Sequence, residues 1–478
     1  MFLRHDNTSC CSPPLPPNTM SGTTTGEAVT PHPLIISQDS HPIEQRSIDK
    51  DALFVMRKLN KAGFSSYLVG GGVRDLYLGK TPKDFDISTD ARPGQIRKLF
   101  PNSATIGRRF RLVQVFFKNG KVIEVSTLRS LSEHDLDGPE AVLAPNNTFG
   151  KLSEDAQRRD LTINALFFEL ENNTIIDYIG GVRDLDNSII RMVGEPSKRI
   201  NRDPVRMLRA IRHSAGTGFT IDATTWNAIC VNRAKLNLCP PSRIRDEILK
   251  DLYGGAARQW LNLAIDSATF FTLFPFYQHL LQTSTDCREQ LTTIFSILDR
   301  AYNYTRENNT TDLPYYFTLA LLTLPWAEAT YNLSQLHIKG PALFQLSKKL
   351  RHDIDIFIGI PLNLRKSLRQ EIVTLLSSTP QFVRFVQDGR PPKWLTKKSY
   401  YSRCSHFYNF HRNILTGQNC SAEIQGILEK SRTERPHLQK VTEIPTKKTS
   451  RHFHQRKKVV FLAFANRPTY APLFSTSS

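Results

Sequence analysis

Residues 67–86 read YLVGGGVRDLYLGKTPKDFD, and three features crowd into that stretch. Tyr67, Leu68 and Val69 suit a short buried strand. Gly70, Gly71 and Gly72 then permit a turn in which the backbone closely approaches a ligand. Helical spacing from Val73 to Leu78 follows at once, so free amide groups and the positive end of the helix dipole would face an anion. Phosphate is the natural ligand, and Arg74 adds a full charge. Asp84-Phe85-Asp86, preceded by a turn at Thr81-Pro82 and followed by Ile87, predicts a strand with both aspartates on one face and Phe85 and Ile87 on the other. Hard carboxylate oxygens so placed suit Mg²⁺, and two such ions ~4 Å apart can stabilise the attacking and leaving oxygens of a phosphoryl displacement. A glycine triplet alone is ordinarily a turn, and a lone Asp-x-Asp is ordinarily solvated. Joined by an arginine in this order, they point to nucleotidyl transfer. Gly79-Lys80-Thr81 imitates the end of a P-loop, but the glycine needed five positions earlier is Arg74.

Upstream, residues 1–45 mix Pro, Ser, Thr, Gly and His with little apolar content, which predicts disorder. Asp49-Lys50-Asp51 then opens a helix with Ala52, Leu53, Val55, Met56 and Leu59 at helical spacing. Downstream of the aspartates, Pro93 to Phe100 reads as a short amphipathic helix. Thr105 to Phe117 reads as a half-exposed strand, on which Arg108, Arg109 and Arg111 are either phosphate contacts or a solvated face. Asn119-Gly120 predicts a two-residue hairpin joining Val115–Phe117 to Val122–Val125. Glu124 faces away from Ile123 and Val125, so it becomes a third carboxylate of the site if its strand lies beside the Asp-x-Asp strand. Residues 131–150 read as a loop beside the site. A helix opening at Ser153 would carry Arg158-Arg159-Asp160, Asn172-Asn173 and Gly180-Gly181 mark turns, and the strand-rich part ends near Val193.

From Pro196 the pattern is helical. Asp203-Pro204 predicts an N-cap and first turn, after which Arg206, Arg209 and Arg212 form one stripe and Val205, Leu208 and Ile211 another. Asp203 beside Arg206 offers an acceptor and a donor fork to a base edge. Lys393, Trp394, Lys397, Lys398, Tyr400 and Tyr401 mix charge with stacking surface, and residues 446–458 form a basic tail. With 478 residues and a formal net charge of +19, the chain has room for several domains and favours a polyanionic partner. Its seven cysteines have neither metal-ligand nor disulfide-framework spacing, which fits a reducing compartment, and no apolar run is long enough to span a bilayer.

Together these motifs resemble those of the bacterial poly(A) polymerases, members of the class II nucleotidyltransferases shared with the CCA-adding enzymes. The resemblance runs from about residue 45 to about 275. LVGGGVRD with KDFD matches the family's catalytic motif, RRDLTINAL (Arg158 to Leu166) its second motif, and RDPVRMLRAIR (Arg202 to Arg212) its nucleobase-binding helix. It implies an α+β chain: a small, mixed antiparallel-sheet nucleotidyltransferase head (46–190), then a helical neck (191–255), a helical body (256–430) and a basic tail (431–478). Carried across position by position, it makes Asp84 and Asp86 metal ligands and catalytic carboxylates and Asp160 a further active-site aspartate. Gly71, Arg74 and Arg159 fall on nucleotide-binding positions, and Asp203, Arg206, Arg209 and Arg212 on those that read the base or hold phosphates. Mg²⁺ or Mn²⁺ as cofactor, ATP as substrate, RNA 3′ ends and RNA-decay proteins as partners, and a cytoplasmic monomer without membrane association complete what it implies.

The two relatives differ in product. IGRRFRLVQV (Ile106 to Val115) resembles the stretch that marks the poly(A) branch, so the expected activity is template-independent addition of AMP from ATP to RNA 3′ ends. CCA addition to transfer RNA is the alternative. A scaffold with a dead head is the third reading, and intact Asp84, Asp86 and Arg74 speak against it. One departure stands out. The family has Glu where this chain has Arg202, so a like charge replaces the partner that steadies the base-reading arginine.

Overall fold

The computed structural model describes residues 32–107, 112–130, 149–336, 338, 340–387, 391, 393–415 and 425–426. Arg108, Arg109 and Arg111, most of the 131–150 loop and the basic tail lie outside them. The strand at Tyr67 sits mid-sheet, as its run of apolar residues requires. The sheet comprises β1 (Leu34–Ile36), β2 (Ser66–Val69), β3 (Asp86–Thr89), β4 (Ser103–Ile106), β5 (Leu112–Phe116), β6 (Val122–Thr127), β7 (Phe167–Glu169) and β8 (Thr174–Asp177), in the order β1-β8-β7-β2-β3-β6-β5-β4. Every neighbouring pair is antiparallel except β3 and β6. That parallel pair needs a long crossover, which the chain between them supplies.

Alternation along these strands gives the sheet two unlike faces. Leu68, Ile87, Val113 and Val125 are fully buried on one. Helix α1 (Lys50–Lys61) covers that face, with Ala52, Val55, Met56 and Leu59 all fully buried and Asp49 capping its first amides. Each of the larger side chains contributes about 1.5–3 kcal/mol by burial. On the other face the register sets Asp86 opposite Glu124 and Glu124 opposite Gln114. Helix α2 (Gly71–Tyr77) follows β2, α3 (Pro93–Leu99) packs near β4 and β5, and α4 (Leu152–Arg158) adds Ala156 to a small second core with Val69 and Phe167.

Four expectations are corrected. Order begins before residue 46, because Leu34–Ile36 pairs with Ile175–Asp177 and gains its stability from that ladder rather than from its own composition. Thr105–Phe117 is not one strand: Gly107, at φ +91°, starts a reversal that pairs Ile106 with Leu112. The turn at Asn119-Gly120 is a three-residue loop, Lys118–Gly120, closed by the Phe117 amide donating to Lys121 O at 2.8 Å, with Gly120 at φ +76°. Finally, α4 ends at Arg158, so Arg159 is extended and Asp160 lies in a bend beyond the helix.

The sheet gives way to helices α5 (Gly181–Asp186), α6 (Pro196–Arg202), α7 (Arg206–Thr217), α8 (Ala223–Asn232) and α9 (Pro241–Leu252), then to a helical body in which Thr285–Glu307 and Tyr315–Tyr331 pack together. Phe317 to Ala327 is a continuous buried run, so that helix is core on nearly every side. The mixed-sheet head and helical remainder agree with the expected fold class. Asp203 does not cap α7: it ends α6, its carbonyl accepts from the Arg206 amide at 3.1 Å, and Val205 takes the cap position. Pro204 turns the chain between the two helices, which leaves the Asp203 carboxylate free for another partner. Lys393 and Trp394 are exposed as expected of a stacking patch, whereas Tyr401 stacks on Phe382 with ring centroids 5.6 Å apart. Among the described residues no helix is long and apolar enough to cross a membrane.

Candidate active site

Asp86 opens β3, Asp84 precedes it, and both line a cleft of about 1330 Å³ between the head, the neck helices and the body. Glu124, a residue that the sequence placed only conditionally, lies directly beside Asp86 across the parallel pair and accepts from Gln114 Nε2 at 2.8 Å. No hydrogen bond from a described residue reaches the Asp84 or Asp86 carboxylate. Desolvation by the surrounding protein, then the charges of Glu124 and Asp84, push the Asp86 carboxyl up to about 6, against the pull of Arg159. Gathered carboxylate oxygens without donors are what a hard divalent cation requires. Among the described residues no group of three or more His, Cys, Asp or Glu side chains is placed to hold a metal ion.

If Asp86 holds a divalent cation, a proton competes for the same oxygens, and metal affinity should fall as pH drops below about 6. Glu124→Gln removes one repelling charge and should move the Asp86 midpoint downward while leaving the larger effect of desolvation. Carboxyl-carbon NMR titration of metal-free wild type and variant measures both midpoints. An identical midpoint would separate Glu124 from the site.

Facing the aspartates is the glycine turn. Gly70 sits at φ +68°, and α2 starts at the very next residue. A Cβ at Gly70 would lie 3.6 Å from Arg159 Nη1, and one at Gly71 3.4 Å from Arg74 Nη2, so both guanidinium groups close on the bare backbone. Arg74 donates to Asp75 Oδ1 at 2.9 Å, to Asn164 Oδ1 at 2.8 Å and to His213 Nδ1 at 3.2 Å. Arg159 donates to Asp155 Oδ2 at 2.9 Å and Ser88 Oγ at 3.2 Å, and lies over the Phe167 ring at 5.0 Å. His213 is held neutral: burial first, then Arg74, pulls it down to about 3.

Helix α7 is reached through a second set of ions. Asp160 does not line the cleft with Asp84 and Asp86. Its carboxylate accepts from the Leu161 amide at 2.9 Å and from Arg209 Nη1 at 3.3 Å. Although burial opposes ionisation, Arg209 and then Arg206 hold the Asp160 carboxyl well below the usual range. Arg209 and Arg212 both turn to Glu247 of α9, at 3.3 and 2.7 Å, and Arg212 also reaches Asp251 at 2.9 Å. Arg206 donates to the carbonyls of Arg159 and Arg158 at 3.1 and 3.3 Å, and Asp203 Oδ2 accepts from Arg243 at 2.7 Å. Gly71, Arg74 and Arg212 therefore share the cleft with the aspartate pair, while Asp160, Asp203, Arg206 and Arg209 form a partly buried layer behind it. Sequence reasoning missed Asn164, His213, Glu247 and Asp251. Asn164 stands inside RRDLTINAL and His213 just after RDPVRMLRAIR, so position within the motifs was the available signal; Glu247 and Asp251 gave none.

Residues 66–191 match the family described as the poly A polymerase head domain, and residues 218–281 match one described as the probable RNA and SrmB-binding site of polymerase A. The chain is 44% identical over 252 residues to poly(A) polymerase I of Escherichia coli O6:H1, covering 51% of this chain and 54% of that protein. It is 38% identical over 237 residues to the CCA-adding enzyme of Bacillus subtilis, covering 49% and 58%. The match thus spans about half the length of these relatives. A solved apo structure of a CCA-adding enzyme shares the fold, with a TM-score of 0.54, 21% identity and coverage of 81% of this chain and 84% of that one. Residues 66–191, with the glycine turn and the aspartate pair, thus form a poly(A) polymerase-type head, and the chain is similar to both the poly(A) polymerases and the CCA-adding enzymes.

Proposed function

We propose that the protein transfers AMP from ATP to the 3′ end of RNA without a template. The observation that supports this best is a pair of buried polar atoms left without partners where the resemblance puts the base: Asp203 Oδ1, an acceptor, and Arg206 Nε, a donor. Adenine offers its 6-amino donor beside the N1 acceptor, and cytosine its 4-amino donor beside N3. Guanine and uracil carry an acceptor where those bases carry the amino group. An A or C edge satisfies both atoms, whereas G or U leaves buried groups unpaired, the kind of mismatch that rejects a substrate strongly. Between A and C, fixation favours a single product. Arg206's other nitrogens are committed to the Arg158 and Arg159 carbonyls and Asp203's other oxygen to Arg243, so both groups are held without the acid that Arg202 replaces. A reader held in one pose suits one nucleotide added repeatedly.

In the reaction the RNA 3′-oxygen bonds to the α-phosphorus of ATP, the bond from that phosphorus to the bridging oxygen of the departing pyrophosphate breaks, and the hydroxyl proton passes to solvent. Asp84 and Asp86 would hold Mg²⁺, which when bound offsets negative charge on the reacting oxygens. Arg74 and Arg159 close on the glycine turn and supply fixed positive charge to the triphosphate. Asn164 and His213 keep Arg74 aimed, and a neutral His213 does so without repelling it. Positioning and fixed charge supply most of the rate in such transfers.

The test offers ATP, CTP, GTP and UTP separately with Mg²⁺ to a generic RNA primer and to a transfer RNA lacking its last three nucleotides. Many A residues on the primer, poor addition of C and refusal of G and U are expected. Addition of only C, C and A to the transfer RNA, with no extension of the primer, would replace this reading with CCA addition.

A further inference from the structure

The body wall of the cleft carries a cation pair that the reaction described above does not use. Lys83, one residue before Asp84, reaches across the cleft to Tyr302 of the body, its Nζ 4.9 Å from the ring centroid. Arg306, one turn further along the same body helix, brings its guanidinium carbon to 5.0 Å from that centroid. Both cations are exposed, and neither forms an ion pair among the described residues. The ring between them is fixed: Gly255, at φ +82°, packs so tightly that a Cβ there would lie 2.4 Å from Tyr302 Cδ1. Burial raises the Tyr302 phenol, yet Lys83 and Arg306 more than offset it and hold the group below its usual value, a sign of uncompensated positive charge. Two like charges drawn from different domains onto one aromatic ring have no anion paired with them among the described residues. Lys80, Arg245 and Arg365 continue the basic wall on either side.

We propose that Lys83 and Arg306, aligned by Tyr302, bind a backbone phosphate near the 3′ end of single-stranded RNA and so present its terminal hydroxyl to the Asp84–Asp86 pair. The site rests on the function proposed above and lies beyond residues 218–281, the stretch matched to RNA binding. A cationic groove with an aromatic platform holds single strands without selecting sequence, as a general tailing reaction requires. The same cations could instead serve the triphosphate of ATP, and the two sources are separable.

The experiment measures binding of a 5′-labelled single-stranded RNA to the full chain by fluorescence anisotropy over a range of salt, without nucleotide. Lys83→Ala and Arg306→Ala are each expected to weaken binding roughly fivefold near 0.1 M salt and to flatten the slope of log K against log salt by ~0.7, the single-strand value per phosphate contact. Tyr302→Phe should bind as wild type and Tyr302→Ala should not. Lys98→Ala, an exposed charge on α3 away from the cleft, controls for net charge and should leave the slope alone. Calorimetry of ATP on the same variants forms the second arm. Unaltered RNA affinity and slope would overturn the proposal, and so would loss of ATP affinity with RNA binding intact. Because the readout needs no catalysis, a wild-type protein that adds no AMP would sink the proposed function and leave this binding result standing.

Discussion

Asp84→Ala and Asp86→Ala should each lower AMP incorporation by at least about 10³-fold at saturating ATP and RNA, while anisotropy finds RNA affinity within about twofold of wild type. The asymmetry follows from where the charges lie. On the proposed function, the aspartates face the reacting oxygens and repel phosphate, and RNA is held by cations elsewhere in the cleft. Near-normal incorporation by either variant would refute the assignment. Asp86 should also reveal itself through stability. Its folded pKa, about 6, lies above the ordinary carboxylate value, so its protonated form favours the fold and stability is lost as pH rises through 6. Asp86→Asn removes that loss, and the inactive variant should be more stable than wild type above pH 6 by about 1 kcal/mol, allowing for solvent screening of an exposed group. Thermal unfolding at pH 5 and pH 8 measures the difference.

The neck should give the largest stability effect. Glu247 is 3% exposed and takes both Arg209 and Arg212, so Glu247→Ala leaves two arginines without their shared partner and should destabilise the protein by about 3–5 kcal/mol. Burial raises the Glu247 carboxyl, but Arg212 and Arg209 outweigh it and leave the group below its usual value. Its contribution is therefore present above the unfolded pKa, near 4.3, and is lost as pH falls through the lower folded value. Asp251, one turn along α9, should behave in the opposite way. Burial pushes its carboxyl up to about 8 despite Arg212, and its Oδ2 has no partner, as fits an oxygen that carries the proton. Asp251→Asn should cost less than about 1 kcal/mol at pH 7, since it replaces a neutral acid with a neutral amide. Equal losses in the two variants by denaturant unfolding would show that Asp251 is ionised and shares the load.

The aspartate pair was legible as a motif, but period-two alternation does not account for both members: β3 opens at Asp86, and Asp84 reaches the cleft from the chain before it. Glu124 needed one fact more, that β6 lies next to β3, and no local pattern carries strand order. The glycine turn was legible for a local reason of its own: Gly70 must adopt a positive φ, and sequence marks such places. Asp203 looked like a helix cap because Asp-Pro normally is one, but α6 ends there and claims the residue first. Asn164 and His213 became visible only once the neck packed on the head. Leu34–Ile36 was hidden in a polar segment because an edge strand of three residues owes its existence to the ladder beside it.

Arg159 has a consequence for length. Its guanidinium lies against Gly70 and lowers the Asp86 carboxyl, while its own carbonyl oxygen anchors Arg206. One residue thus touches both ends of the proposed nucleotide site, the end that handles phosphate and the end that handles the base. Covalent bonds within a single amino acid limit how far apart those two ends can lie, and the Arg206 hydrogen bond ties that limit to the packing of the neck on the head.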